Sequence, residues 1–121
     1  MAIAVMLGAF GAHALKERLT PIQLANWGTG VDYHFYHALG LLLVGVLEIR
    51  LGQKRSKLVA YFLVVGVLLF SGSLYLLSAK DLFGLAGAEH VLGPLTPLGG
   101  ICFIAGWVVL FITALRQPDR G

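Results

Sequence analysis

Hydrophobic positions in this chain fall in long runs rather than in the narrow stripes of a water-soluble helix. Residues Met1 to Leu15 are apolar or small until His13. A polar stretch, Lys16 to Gly30, precedes a second run from Val31 to about Ile49; a third covers Leu58 to Ser78 and a fourth Thr96 to Leu115. A membrane-crossing helix needs about 20 mostly apolar residues. The later three runs approach that length, whereas the first, at ~1.5 Å per residue, reaches only about 22 Å. The pattern predicts an all-α fold: a polytopic integral membrane protein of four transmembrane helices in a bundle. It forms one domain, 1–121, with spans at 1–15, 31–49, 58–78 and 96–115 and short amphipathic outer loop helices.

The joints carry local signals. Thr20-Pro21 reads as an N-cap followed by a first-turn proline. It opens a short surface helix on which Ile22, Leu24 and Trp27 lie along the bilayer, Trp27 at headgroup level, and which Gly28 and Gly30 end. Thr96-Pro97 reads the same way at the start of the fourth span, leaving Ala79 to Leu95 as a glycine-broken joint. Ala12-His13-Ala14 resembles a signal-peptide cleavage site, but no Lys or Arg precedes the run as a signal peptide requires. The run is taken as a first helix lacking some apolar sequence ahead of Met1. Ala4, Gly8 and Ala12 recur every fourth residue, a small-residue stripe that admits a neighbouring helix closely.

Composition agrees. Of 121 residues 58% are hydrophobic and only 12% charged, with mean hydropathy +0.84; soluble domains carry about 25% charged residues. The net charge of +3 does not point to a nucleic-acid partner, because the cations flank the apolar runs instead of gathering on one face. Their distribution orients the chain. With both termini cytoplasmic, the inner side holds Arg50, Lys54, Arg55, Lys57, Arg116 and Arg120, and the outer side Lys16, Arg18 and Lys80. Cytoplasmic loops favour Lys and Arg, so a multi-pass inner-membrane protein with both termini inside is expected. The lone Cys102 excludes an internal disulfide and sits in an apolar run, where a thiol is inert. An offset alignment of Gly8, Lys16 and Glu17 with Gly72, Lys80 and Asp81 is too sparse to establish a repeat.

Polar groups concentrate on the outer half: His13; Asp32, Tyr33, His34, Tyr36 and His37; Ser71, Ser73 and Tyr75; Glu89 and His90. Ionisable side chains within a span are costly and face the bundle or a watery cavity. Three readings compete. In the first, His and Tyr hydrogen-bond one another and exposed backbone, fixing helix register at about 0.6 kcal/mol per interhelical bond. In the second, His34 and His37, neighbours at i,i+3, combine with His13 and His90 or Glu89 to bind Zn or Cu. In the third, His13, Tyr33, His34, Tyr36, His37, Ser71 and Tyr75 line a pocket for a small ligand, quinone, lipid headgroup or proton path. The i,i+4 histidine pair of the H-E-x-x-H metal motif is absent, and no G-x-S-x-G elbow supports a hydrolase. The leading expectation is a non-enzymatic component in which the cluster organises helices. Partners are the lipid bilayer and a homo-oligomer or membrane-complex partner, contacted through the glycine faces of spans one and four. The alternative is a membrane protein that holds a metal ion or small ligand.

Gly8-Ala9-Phe10-Gly11-Ala12-His13, Asn26-Trp27-Gly28-Thr29-Gly30, Tyr33-His34-Phe35-Tyr36-His37-Ala38-Leu39, Phe70-Ser71-Gly72-Ser73-Leu74-Tyr75 and Gly93-Pro94-Leu95-Thr96-Pro97-Leu98-Gly99-Gly100 occur in order. With these five motifs, nearly the whole chain resembles the uncharacterised YgdD/YwdK-like membrane-protein family. That family is also described as domain of unknown function 423 and is related to animal transmembrane protein 256. The resemblance implies a small multi-helix inner-membrane protein and brings no established activity. The family pattern carries more apolar sequence ahead of Gly8 than this chain does.

Overall fold

The computed structural model describes residues 1–116; the end of the polar tail, with Arg120, lies outside them. The described residues are helical, without strands. In chain order the helices are α1 (Ala2–Leu15), α2 (Pro21–Val46), a single turn α3 (Glu48–Leu51), α4 (Gln53–Ser78) and α5 (Glu89–Leu115). By length and composition α4 and α5 can each cross a membrane, and α1 is a shorter apolar helix. Helix α4 lies between α2 and α5, and α1 rests on α2.

The bundle is dressed for lipid. Its outer surface carries Ile3, Met6, Leu42, Val46, Leu68, Ile101, Ile104 and Phe111, all more than half exposed, while Ser56, Ser71, Ser73, Ser78 and Thr113 are buried. A water-soluble bundle arranges these the other way round. Inside, close approach replaces bulk. Gly66 and Gly99 are the tightest points of the α4–α5 contact: a Cβ on Gly66 would lie 2.4 Å from the Phe103 ring, and one on Gly99 2.4 Å from the backbone nitrogen of Phe70. Small residues at such contacts let backbones come together where no hydrophobic drive separates helix from lipid.

Two helices contain a wider π turn, Gly11–Leu15 in α1 and Val67–Ser71 in α4. A π turn adds one residue to a helix. In α4 the buried positions Ser56, Val59, Leu63 and Gly66 keep a regular three-four spacing, then step five residues to Ser71, and seven more to Ser78. The inserted residue keeps one face of a long helix directed at its neighbours.

Several sequence expectations are corrected here. Gly28 and Gly30 do not end a surface helix; α2 runs unbroken from Pro21, and Gly30 makes room for the Tyr75 ring, 2.9 Å from where its Cβ would stand. The N-cap at Thr20 is as expected, with a reciprocal Thr20–Gln23 capping box. Trp27 turns inward, 4% exposed, instead of lying on the bilayer. Helix α5 starts at Glu89, so Thr96-Pro97 does not cap it; Pro94 and Pro97 lie inside its first three turns. Each proline lacks an N–H, which leaves the carbonyls of His90 and Gly93 without their usual helical donors. Residues 79–88 form turns, so neither joint contains a separate amphipathic helix. The basic end reverses through Gly52, whose φ of +82° lies in the region that favours glycine.

Candidate functional site

His34 and His37 lie near the middle of α2 rather than in its first turns, and there α2 and α4 face each other through rings. His34 Nδ1 and the Tyr75 hydroxyl are 3.2 Å apart and share a hydrogen bond. The Tyr75 ring also lies 4.8 Å from that of Trp27. The Trp27 N–H donates to the Leu7 carbonyl at 2.9 Å, tying α2 to α1. Leu15, Leu19, Trp27 and Ala79 close a small apolar core around these groups.

His37 belongs to a second group. One helical turn after Tyr33, its Nδ1–H donates to the Tyr33 carbonyl at 2.6 Å, since a carbonyl only accepts. Its ring stacks on Phe103 of α5 with centroids 3.4 Å apart and planes at 9°. Tyr33 stacks on Phe70 at 4.5 Å. His37 is 5% exposed. Beside it, Ser73 donates to the Phe70 carbonyl at 2.9 Å and accepts from the Thr96 hydroxyl at 2.6 Å, bridging α4 and α5. Ser71 is fully buried in the π turn, and its hydroxyl has no partner among the described residues.

Polar contacts also close the joints above. Gln23 donates to Asp81 at 3.0 Å, linking the two joints, and Lys80 forms an ion pair with Glu89. The hydrogen bond and charge of Glu89 raise the Lys80 pKa above its ordinary range.

The expected site is thus brought together only in part. His34 meets Tyr75, and Tyr33 meets Tyr36 and His37. His13 and His90 are both exposed on other helices. The four-histidine metal set is corrected: among the described residues no three His, Cys, Asp or Glu side chains are grouped to hold a metal ion. The physical reason is direction. At i,i+3 His34 turns to α4 and His37 to α5, so the two rings serve different interfaces. Sequence reasoning missed Trp27, Phe70, Phe103 and Thr96 as members of this region. The three-four spacing of Gly99, Phe103, Gly106 and Leu110 along α5 was the available signal for Phe103.

The glycine faces expected to meet a second protein are occupied within the chain. Gly8 faces Val31, Gly99 faces Phe70 and Gly106 faces Phe62 and Leu63.

Residues 7–100 match the family described as "Protein of unknown function (DUF423)". The chain is 44% identical over 115 residues to the UPF0382 membrane protein YwdK of Bacillus subtilis, covering 94% of this chain and 88% of that protein. It is 37% identical over 114 residues to a UPF0382 membrane protein, SH2409, of Staphylococcus haemolyticus, covering 94% and 87%. It is 35% identical over 123 residues to the UPF0382 inner membrane protein YgdD of Escherichia coli K12, covering 98% and 86%. No solved structure matches the chain.

Proposed function

Because the chain belongs to the family described as Protein of unknown function (DUF423), a family of membrane proteins, we propose that it is a non-enzymatic inner-membrane component. In this reading α1, α2, α4 and α5 span the bilayer with both termini cytoplasmic, and the histidine cluster organises the helices. One observation carries the reading. The rings of His34, His37, Tyr33 and Tyr75 are engaged in hydrogen bonds and stacks that join α2 to α4 and α5. Groups used in this way hold helices in register.

The topology follows from the basic end, where Arg50, Lys54, Arg55 and Lys57 cluster. With the glycine faces taken up internally, the exposed aliphatic faces of α1 and α5 are left for lipid or for a neighbouring membrane protein. Single-cysteine labelling in intact cells, in a Cys102→Ala background, tests the topology: position 54 is expected to resist a membrane-impermeant maleimide and position 82 to react. The reverse pattern overturns the orientation. For the cluster, Tyr75→Phe together with His34→Ala is expected to weaken folding in native-like lipid, and unchanged unfolding overturns the helix-organising role. Stoichiometric Zn or Cu in protein purified without chelator or His-tag, lost in the His34→Ala plus His37→Ala variant, would replace this reading with the metal-binding one.

A further inference from the structure

A groove of about 420 Å³ runs between α1 and α2 and shares Trp27 with the apolar core behind His34 and Tyr75. Gly8, Leu24, Trp27 and Val31 form its walls, and Lys16 and Asp32 also line it. We propose that this groove binds a small zwitterion, its ammonium at Asp32 and its carboxylate at Lys16.

The walls are preformed. Trp27 is 4% exposed, and its N–H is held by the Leu7 carbonyl. A Cβ on Gly11 would lie 2.6 Å from the indole, so glycine there lets the N–H edge of the ring approach the α1 backbone. The volume falls in the range of small-molecule sites, ~300–1,000 Å³.

The charges choose the ligand. Lys16 and Asp32 are both exposed, and no ion pair joins them among the described residues. Gly8 faces Val31 and Gly11 faces Trp27, so the two helices run past each other in opposite directions. Lys16 therefore stands about 12 Å beyond Gly8, at ~1.5 Å per residue, while Asp32 adjoins Val31 at the level of Gly8. One cation and one anion that form no ion pair with each other among the described residues, at two levels of an apolar-walled groove, complement a ligand with both charges. A simple amine meets Lys16 and a simple acid meets Asp32, and each like-charge encounter is unfavourable.

Full-length protein in lipid nanodiscs tests this by calorimetric titration with ω-amino acids of two to six carbons, and with butylamine and butyrate as single-charge probes. Binding is expected to peak at one chain length, with the single-charge probes about tenfold weaker or worse. Asp32→Asn and Lys16→Gln each remove the chain-length preference. The exchanged pair Lys16→Asp with Asp32→Lys restores it, because a zwitterion can turn end for end. Circular dichroism confirms that each variant folds. Equal binding of butylamine or butyrate, no binding at any chain length, or a preference that survives both single variants overturns the proposal. Chain-length preference tests the groove, whereas unfolding of His34 and Tyr75 variants tests the helix-organising reading, so failure of one is distinguishable from failure of the other.

Discussion

Two helix contacts in this molecule are centred on a glycine that faces an aromatic residue, with different results. Between α4 and α5 the arrangement is reciprocal: Gly66 of α4 receives Phe103 of α5, and Gly99 of α5 receives Phe70 of α4. Between α1 and α2 it is one-sided. Gly11 of α1 receives Trp27 of α2, and the indole is held in place by a hydrogen bond to the Leu7 carbonyl. Reciprocal exchange fills both sides of an interface. One-sided exchange leaves open the groove that Lys16 and Asp32 line. The placement of small residues on one helix or both therefore decides whether two helices enclose space.

The strongest way to break the comparison is at Gly99. Gly99→Ala puts a methyl against backbone, which cannot rotate aside as a side chain can, and is expected to destabilise the fold by about 3 kcal/mol or more. Unfolding in mixed micelles followed by circular dichroism measures it. Gly45→Ala, where a Cβ meets nothing within 4 Å, serves as the control and should be neutral or stabilising.

Gly11→Ala strikes the one-sided contact. It displaces Trp27 and breaks the bond to Leu7, for an expected loss of about 1–3 kcal/mol. In a Trp107→Phe background the Trp27 emission should shift to longer wavelength, while α4–α5 cross-linking stays unchanged. A matching loss of α4–α5 cross-linking would show that the two contacts are not independent.

His37 sharpens the comparison because it adds a third element to the α4–α5 side. His37→Phe keeps a ring against Phe103 and loses the bond to the Tyr33 carbonyl within α2, so a loss of about 1 kcal/mol is expected. His37→Ala also removes the stack and should lose about 2 kcal/mol or more. Equal losses would mean that the hydrogen bond, and not the stack, carries the residue's role.

The smallest effect is expected at the Lys80–Glu89 pair, which fastens the joint between these interfaces. Glu89 raises the Lys80 pKa, so their mutual contribution is full below the ordinary lysine range and fades as pH rises through the raised value. Melting temperatures of the native protein and Glu89→Gln should differ slightly at neutral pH and converge in strong alkali.

Hydrophobic run lengths made the long apolar helices α4 and α5 legible, and Thr20-Pro21 marked the start of α2 because a cap is chemistry local to four residues. The continuity of α2 through Gly28 and Gly30 and the start of α5 at Glu89 were not legible. Glycine and proline weaken an isolated helix, but here Gly30 accommodates Tyr75, and the Thr96 hydroxyl bonds to Ser73 instead of capping. For the site, the residue types were readable and their directions were not. Spacing places His34 and His37 on neighbouring faces, yet only the positions of Tyr75 and Phe103 determine that the two rings diverge. Trp27 was misplaced for a related reason. An aromatic residue near a predicted interface has two stable settings, and the absence of a side chain at Gly11 selects the inward one.

The π turn at Val67–Ser71 makes chain length itself a constraint on α4. Removing one residue there would return the turn to ordinary helix and leave the phase of Ser73 and Tyr75 nearly unchanged, because the five-residue step from Gly66 to Ser71 becomes the four-residue step of an α-helix. Removing one residue from a regular turn of α4 would instead rotate everything beyond it by about 100°, so a gap is tolerated within these few residues and costly elsewhere in the helix.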